Sequence, residues 1–232
     1  MRTNHDVWVV VPCYNEAPVV GQVLSGLLEH FPNVVAVDDG SSDQSASEIR
    51  KSGARLVQHP INMGAGAAMQ TGIDFALHDA GAAYVVTFDA DGQHRVEDAV
   101  AMLDQIRESG VQVVIGSRFL GTSAVGMSRG KRLLLKAATV FERATSGIQL
   151  TDAHQGLRVF DRSFAEVLEM KTPDMAWASE FLQRMSEVGA SFEEFPVTVA
   201  YTDYSRAKGQ RSVNSINIGV DVLLNRVLRG HR

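Results

Sequence analysis

The sequence predicts an α/β fold: a mostly parallel central sheet flanked by helices, with a short antiparallel contribution from the second half of the chain. Three observations predict it. Strand-like and helix-like segments alternate through the first half. The strand-like segments are continuous β-branched and aromatic runs, as expected where both sheet faces are covered. The rhythm then changes after Gly116, where no clear strand follows until Gly156.

The elements run in order along the chain. Val7 to Val11 is an apolar run closed by Pro12, and Val19, Val23, Leu24, Leu27 and Leu28 mark one face of a helix that stops near Pro32. Val34 to Val37 is a second strand, and Ser41 or Ser42 is expected to cap a helix ending at Gly53. Leu56-Val57 is a brief third strand. The glycine-rich turn Asn62-Met63-Gly64-Ala65-Gly66 then opens an alanine-rich helix reaching about His78. Tyr84 to Phe88 is the fourth strand, Val96 to Ser109 a helix and Val111 to Ile115 a fifth strand. Beyond Gly116, Lys131 to Thr145 and Ser179 to Val188 read as helices, Gly156 to Phe160 and Phe192 to Tyr201 as strands, and Ser215 to Arg229 as a final helix, apolar on one side. No repeat or linker interrupts the chain. Residues 1–232 therefore read as one domain, with a ligand-binding half (1–116) and a second half (117–232) holding amphipathic helices at 127–147 and 213–230.

Bulk properties narrow the function. At 232 residues and 45% apolar content the chain supports a sizeable core. A net charge of -5 argues against nucleic acid as a partner. Its single cysteine, Cys13, forms no internal disulfide and points to a reducing, cytoplasmic setting. The N-terminal apolar run is too short for a signal peptide, and no stretch approaches the ~18 apolar residues that span a bilayer.

In an open parallel sheet, ligands bind outside the carboxyl ends of the strands. Here those ends carry Pro12-Cys13-Tyr14-Asn15-Glu16, Asp38-Asp39-Gly40 and Asp89-Ala90-Asp91. One Asp after a strand is ordinarily a helix cap, but three acidic clusters at one edge point to a ligand. Asp89 and Asp91 flank one small residue and are followed by Gly92-Gln93-His94. Two hard oxygen donors at that spacing suit Mg²⁺ or Mn²⁺ holding substrate phosphates. Gly64-Ala-Gly66 is not a dinucleotide fingerprint, because Met69 stands where a third glycine belongs and the turn does not follow the first strand. It reads instead as a tight turn beside a ligand phosphate. There is no Walker loop. The seven histidines are scattered and read as surface residues.

VVVPCYNEA, VDDGSSDQS, NMGAGAAMQTGIDFA, VVTFDADGQH, IGSRF and TDAHQGLRVF, in that order from Val9 to Phe160, resemble the motifs of family 2 glycosyltransferases. ASEFLQRMSEVG and YSRAKGQ extend the resemblance over nearly the whole chain. It is similar in particular to dolichol-phosphate mannosyltransferases and bacterial polyprenyl-phosphate glycosyltransferases. The resemblance implies the Rossmann-like GT-A fold and an inverting transfer from a UDP- or GDP-sugar to a polyprenyl phosphate. It implies that Pro12, Tyr14, Glu16, Asp39, Gly64, Asp89 and Ala90 bind the nucleotide sugar. The metal, Mg²⁺ or Mn²⁺, falls to Asp89, Asp91 and Gln93. Asp91, Arg118 and Glu180 are the catalytic candidates, and Gln155, Arg158, Arg206 and Lys208 meet acceptor or phosphate. Two departures stand out: Ala65 replaces a lysine common in the family's glycine turn, and many lipid-phosphate relatives continue into transmembrane helices where this chain stops at Arg232.

An acceptor phosphate is already anionic and needs positioning rather than a base. A sugar hydroxyl acceptor in glycan synthesis would need Glu180 or Asp91 to take its proton. A nucleotidyltransferase would need a basic glycine loop after the first strand, and a non-catalytic binding subunit would have lost a metal carboxylate. Residues 127–147 mix Arg129, Lys131, Arg132, Lys136 and Arg143 with Leu133, Leu134, Leu135, Val140 and Phe141, a pattern suited to a membrane interface or to a helix packed on its own domain. The last helix has three partners to choose from: the cytoplasmic membrane face, a second subunit in a homo-oligomer, or a small membrane protein.

Overall fold

The structure, a computed structural model, describes residues 3–120, 129–172, 177–200 and Tyr204. Contacts divide the chain into two units, Met1–Ala200 and Tyr201–Arg232, and the described sheet and helices belong to the first. Arg206, Lys208, the expected helix at 213–230 and the end of the expected strand at Tyr201 lie outside the described residues.

Among the described residues, seven strands form one mixed sheet. They are β1 (Val7–Cys13), β2 (Asn33–Asp38), β3 (Arg55–Gln58), β4 (Tyr84–Thr87), β5 (Val113–Ser117), β6 (Arg158–Asp161) and β7 (Phe192–Pro196), in the order β3-β2-β1-β4-β6-β5-β7. β1 is parallel to β2 and β4, β2 to β3, and β5 to β7. β6 runs antiparallel to both β4 and β5. The expected antiparallel contribution is therefore a single strand, set in the middle of the sheet.

Alternation along the strands sorts the core into two faces. Trp8 and Val10 of β1 pack with Val35, Val37, Val85, Val113, Ile115 and Phe160. Their cover is α3 (Ala65–Leu77), the short α6 (Arg162–Ala165) and α7 (Trp177–Val188). Val7, Val9 and Val11 point the other way, with Val34, Ala36, Val86, Val114 and Val159. They meet α1 (Val20–Leu28), α2 (Ser45–Ser52) and α4 (Val96–Ser109). The remaining helix, α5 (Arg129–Ser146), packs against α7.

Gly72 shows how tightly α3 seats on the sheet: a Cβ there would stand 2.2 Å from Val10 Cγ1. Overpacking of a rigid β-branched contact costs ~1–3 kcal/mol. Gly72→Ala is expected to lower stability by that amount in denaturant melts, although alanine is the better helix former.

Several expectations change. Serines 41 and 42 do not cap α2, which begins at Ser45 behind Gln44. Ser41 Oγ instead accepts the Asn15 N–H at 2.9 Å, and Asn15 Oδ1 accepts the Ser42 N–H at 2.9 Å. Asn15 adopts φ 54°, which its side chain tolerates. The serine cluster thus ties the loop after β1 to the loop after β2. The last strand ends at Pro196, and Val199 forms only an isolated bridge to His94.

Candidate functional site

Parallel strands β1, β2 and β4 bring the clusters at Pro12–Glu16, Asp38–Asp39 and Asp89–Asp91 to one edge of the sheet. The antiparallel β6 begins at that same edge: Arg158 pairs with Thr87 and with Ile115. The segment from Asp152 to Arg158 therefore enters beside Asp89, though far away in sequence.

Asp39 is 2% exposed, and its carboxylate organises the loop before α3. Oδ1 accepts the Met63 N–H at 2.8 Å, and Oδ2 accepts the Gly64 N–H at 2.8 Å. His59 Nδ1 lies 2.7 Å from Oδ1, and its Nε2 lies 2.9 Å from Thr71 Oγ1. Gly64 has φ 95°, open to glycine at little cost. Its N–H serves Asp39 here rather than a ligand phosphate. Glu16 is also buried, and its N–H donates to Ser45 Oγ at 2.8 Å. Pro12 sits in register with Val37 of β2, and Tyr14 is exposed at the rim.

Asp89 is half-buried, and its Oδ2 lies 2.8 Å from His94 Nε2. Burial works against the ionised carboxylate. The His94 bond and the charges of His94, Arg158 and Arg118 outweigh that and hold it below the usual range. Asp91 goes the other way. Burial, then the charge of Asp89, raise it to about 6, although His94 and the Gln93 N–H at 3.0 Å oppose the rise. His94 is itself raised: its burial is overcome by the bond and charge of Asp89. Gln93 C=O accepts the Ala200 N–H at 2.9 Å, and Ala90 is buried between the two carboxylates.

Asp89 and Asp91 fit a divalent ion. A neighbouring cation would relieve the burial and mutual repulsion that hold a proton on Asp91. No group of three His, Cys, Asp or Glu side chains placed to share an ion occurs among the described residues. A two-carboxylate set suits Mg²⁺ or Mn²⁺, hard ions that complete their shells with water and substrate phosphate. Asp91 has a raised value, so its contribution to metal-free stability is full below about 4 and is lost as pH rises through about 6. The rise in Tm produced by Mn²⁺ is expected to be large at pH 7.5 and to shrink below pH 6, where protons compete for Asp91. Thermal melts with and without Mn²⁺ check this.

The basic candidates differ from free surface cations. Arg118 is 8% exposed and clamped by Asp152, with Nε to Oδ2 at 2.6 Å, Nη2 to Oδ1 at 2.7 Å and its own N–H to Oδ2 at 3.1 Å. Asp152 is fixed in turn through Thr151, whose N–H and hydroxyl donate to Glu194 of β7. Arg158 is fully buried, so it meets no phosphate from this position. It lies between the rings of Trp177 (4.6 Å) and Phe181 (4.2 Å) and donates to Gln155 O at 3.0 Å. Burial lowers it to about 9, against the pull of Asp89, Asp152 and Glu142, so it stays cationic at neutral pH. Its place in the site is that of a fixed charge beneath Asp89. The Gln155 side chain is buried, with Oε1 accepting the Gly156 N–H at 2.9 Å. Glu180 stands apart: its two oxygens accept the N–H groups of Lys171 and Thr172, each at 2.8 Å.

Three further groups belong to the site. His94 and His59 are buried partners of Asp89 and Asp39, not surface residues, with side chains 3% and 8% exposed. Asp152 is the third. Position in the motifs marks two of them: His94 follows the paired aspartates, and Asp152 is the second residue of the TDAHQGLR segment. An open groove of about 760 Å³, lined by Trp8, Arg55, Phe75 and Asp79, sits at the opposite end of the sheet and holds none of these residues.

A mixed sheet with paired aspartates after its fourth strand, and a second acidic site after its second, has the architecture of the GT-A type. Residues 8–168 match the model of glycosyl transferase family 2, and the chain belongs to that family. It is 30% identical to an uncharacterised protein of Methanocaldococcus jannaschii over 96% of this chain and 93% of the other. It is 28% identical to a UDP-N-acetylglucosamine–dolichyl-phosphate N-acetylglucosaminyltransferase of Methanococcus voltae, over 88% of this chain and 89% of that one. Among solved structures, glucosyl-3-phosphoglycerate synthase of Mycobacterium tuberculosis in complex with Mn²⁺, UDP and glucosyl-3-phosphoglycerate shares the fold. Its TM-score is 0.65 at 19% identity, over 86% of this chain and 72% of that one. The protein is a glycosyltransferase.

Proposed function

We propose that the chain moves a sugar from a nucleoside diphosphate donor, UDP- or GDP-linked, to a polyprenyl phosphate, with inversion at the anomeric carbon. The observation that carries this reading is a cluster of cations at the end of β5. Arg118, Arg132 and Lys136 lie 5.9, 6.0 and 5.8 Å from the centre of the Phe119 ring. Arg118 follows β5 at the edge that holds Asp89 and Asp91 and is paired with Asp152, so Arg132 and Lys136 of α5 are the charges that would draw an anionic acceptor there. The Glu180 oxygens accept the main-chain N–H groups of Lys171 and Thr172, and an acceptor phosphate would ask no base of it. The Methanococcus voltae relative carries dolichyl phosphate in its name.

In this reading Pro12, Tyr14, Glu16 and Asp39 surround the nucleoside, and Asp89 and Asp91, with Gln93, hold the ion and diphosphate. The bound ion would neutralise charge building on the departing diphosphate. Asp89 keeps its charge because His94 and Arg158 flank it. Asp152 holds Arg118 in one orientation. The acceptor phosphate attacks as the anion and needs no proton removed. A lipid acceptor places the enzyme at the cytoplasmic membrane face.

The test is release of nucleoside diphosphate from UDP-, GDP- and dTDP-sugars, with Mg²⁺ or Mn²⁺, with and without a short-chain polyprenyl phosphate. Release from one donor only when the lipid phosphate is present is the expected result. Release that ignores the lipid phosphate and follows a sugar hydroxyl would overturn the acceptor assignment.

A further inference from the structure

Helix α5 turns a stripe of apolar side chains outward and buries three polar ones on the opposite side. Leu133 is 72% exposed, Val140 62% and Phe141 41%. With Ala137 and Ala144, also exposed, they fall at helical spacing on one stripe. The opposite side buries Thr139, Glu142 and Ser146. These polar groups are satisfied internally. Thr139 Oγ1 donates to Leu135 O, Ser146 Oγ donates to Glu142 O, and the Glu142 carboxylate accepts Ser179 Oγ from α7. A helix that serves only to pack on its own domain shows the reverse pattern, because apolar area gains most from leaving water. The outward strip calls for a cover.

Charge identifies the cover. Arg132 and Lys136, one turn apart and both exposed, border the strip. Glu142 is the one acidic residue between Arg129 and Ser146, and it is buried. Arg143 is turned inward, its Nε donating to Leu150 O. The described outer surface of α5 is therefore apolar and cationic, with no carboxylate. A second copy meeting it about a twofold axis would bring like charges together. An anionic lipid surface offers both a low-dielectric layer and opposite charge.

We propose that α5 lies flat on an anionic bilayer, with Leu133, Val140 and Phe141 in the acyl boundary and Arg132 and Lys136 at headgroup level. The lipid-acceptor reading gives this docking a purpose, but the docking is measured without acceptor or donor. The full chain is floated with phosphatidylcholine vesicles, with and without phosphatidylglycerol. Binding to the phosphatidylglycerol vesicles is expected, weakening as salt is raised. The double variant L133Q/V140Q, altered only at exposed positions, should keep its Tm and partition about tenfold or more weakly. R132Q/K136Q should lose about fivefold of the preference for phosphatidylglycerol per cation. Absence of wild-type binding, or equal binding by L133Q/V140Q, overturns the proposal. So does a fall in oligomeric mass in that variant, measured by light scattering, with vesicle binding unchanged; the strip would then cover a protein contact. Vesicle binding without sugar transfer to polyprenyl phosphate would leave the docking standing and remove the acceptor reading. Transfer to a short-chain acceptor without vesicle binding would do the opposite.

Discussion

Asp91→Asn is expected to lower turnover by ~10³-fold, while leaving the Tm of the metal-free protein unchanged or slightly raised. The two halves of that expectation come from one cause. Asp91 is held beside Asp89 at partial burial, and burial with the Asp89 charge raises its carboxyl to about 6, so its charged form is disfavoured in the metal-free fold. An asparagine removes a charge the metal-free fold does not want. The same charge is what an ion carrying a sugar nucleotide requires, and losing a ligand that supports charge on the leaving diphosphate removes several kcal/mol of barrier reduction, at about 1.4 kcal/mol per tenfold. Steady-state turnover and thermal melts of the same preparation check both halves. The rise in Tm on adding Mn²⁺ should disappear in the variant. Full activity in Asp91→Asn would remove the paired aspartates from the mechanism.

What the sequence discloses, and what it hides, divides by distance along the chain. Runs such as Val7–Val11 and Tyr84–Phe88 are local signals, and the structure places strands on them. The carboxylates are legible for the same reason: an Asp just after a parallel strand lies at the carboxyl edge whatever the rest of the chain does. The partners of those carboxylates are not local. His59 reaches Asp39 from the end of β3, and Arg158 reaches Asp89 only because β6 runs against its neighbours. Nothing in the composition around Arg158 marks it as a fully buried guanidinium between two aromatic rings. Its burial is decided by α7, which contributes Trp177 and Phe181. Ser41 and Ser42 fail as caps for a related reason, since their hydrogen bonds go to Asn15 on another loop. In α5 the composition is visible, but which stripe faces outward is settled only by the packing against α7.

Gly156→Ala is expected to reduce activity by ~10²-fold or more, although the substitution adds one methyl group and removes no functional side chain. The Cβ would fall 2.4 Å from Asp89 Oδ2 and 2.7 Å from Oδ1, closer than any real contact. Neither side yields easily. Gly156 is pinned by its carbonyl, which accepts Thr87 Oγ1 at 2.6 Å, and by its N–H, which donates to Gln155 Oε1. Asp89 is held by His94 at 2.8 Å. The carboxylate is the freer of the two, because it is half-buried while Gly156 sits in a buried segment. It should therefore move, by on the order of an ångström, and a shift of that size in a catalytic group costs ~10²-fold. Strain that is not relieved this way would appear as ~1–3 kcal/mol of lost stability. Two readouts separate the effects. A weakened Mn²⁺-induced rise in Tm, together with a fall in kcat larger than the change in donor KM, marks a displaced metal ligand. A lower Tm with metal response and kcat intact would mean that the backbone had moved instead, and that Asp89 keeps its geometry without help from the glycine. At the end of β4 the room for the Asp89 carboxylate depends on position 156 carrying no side chain.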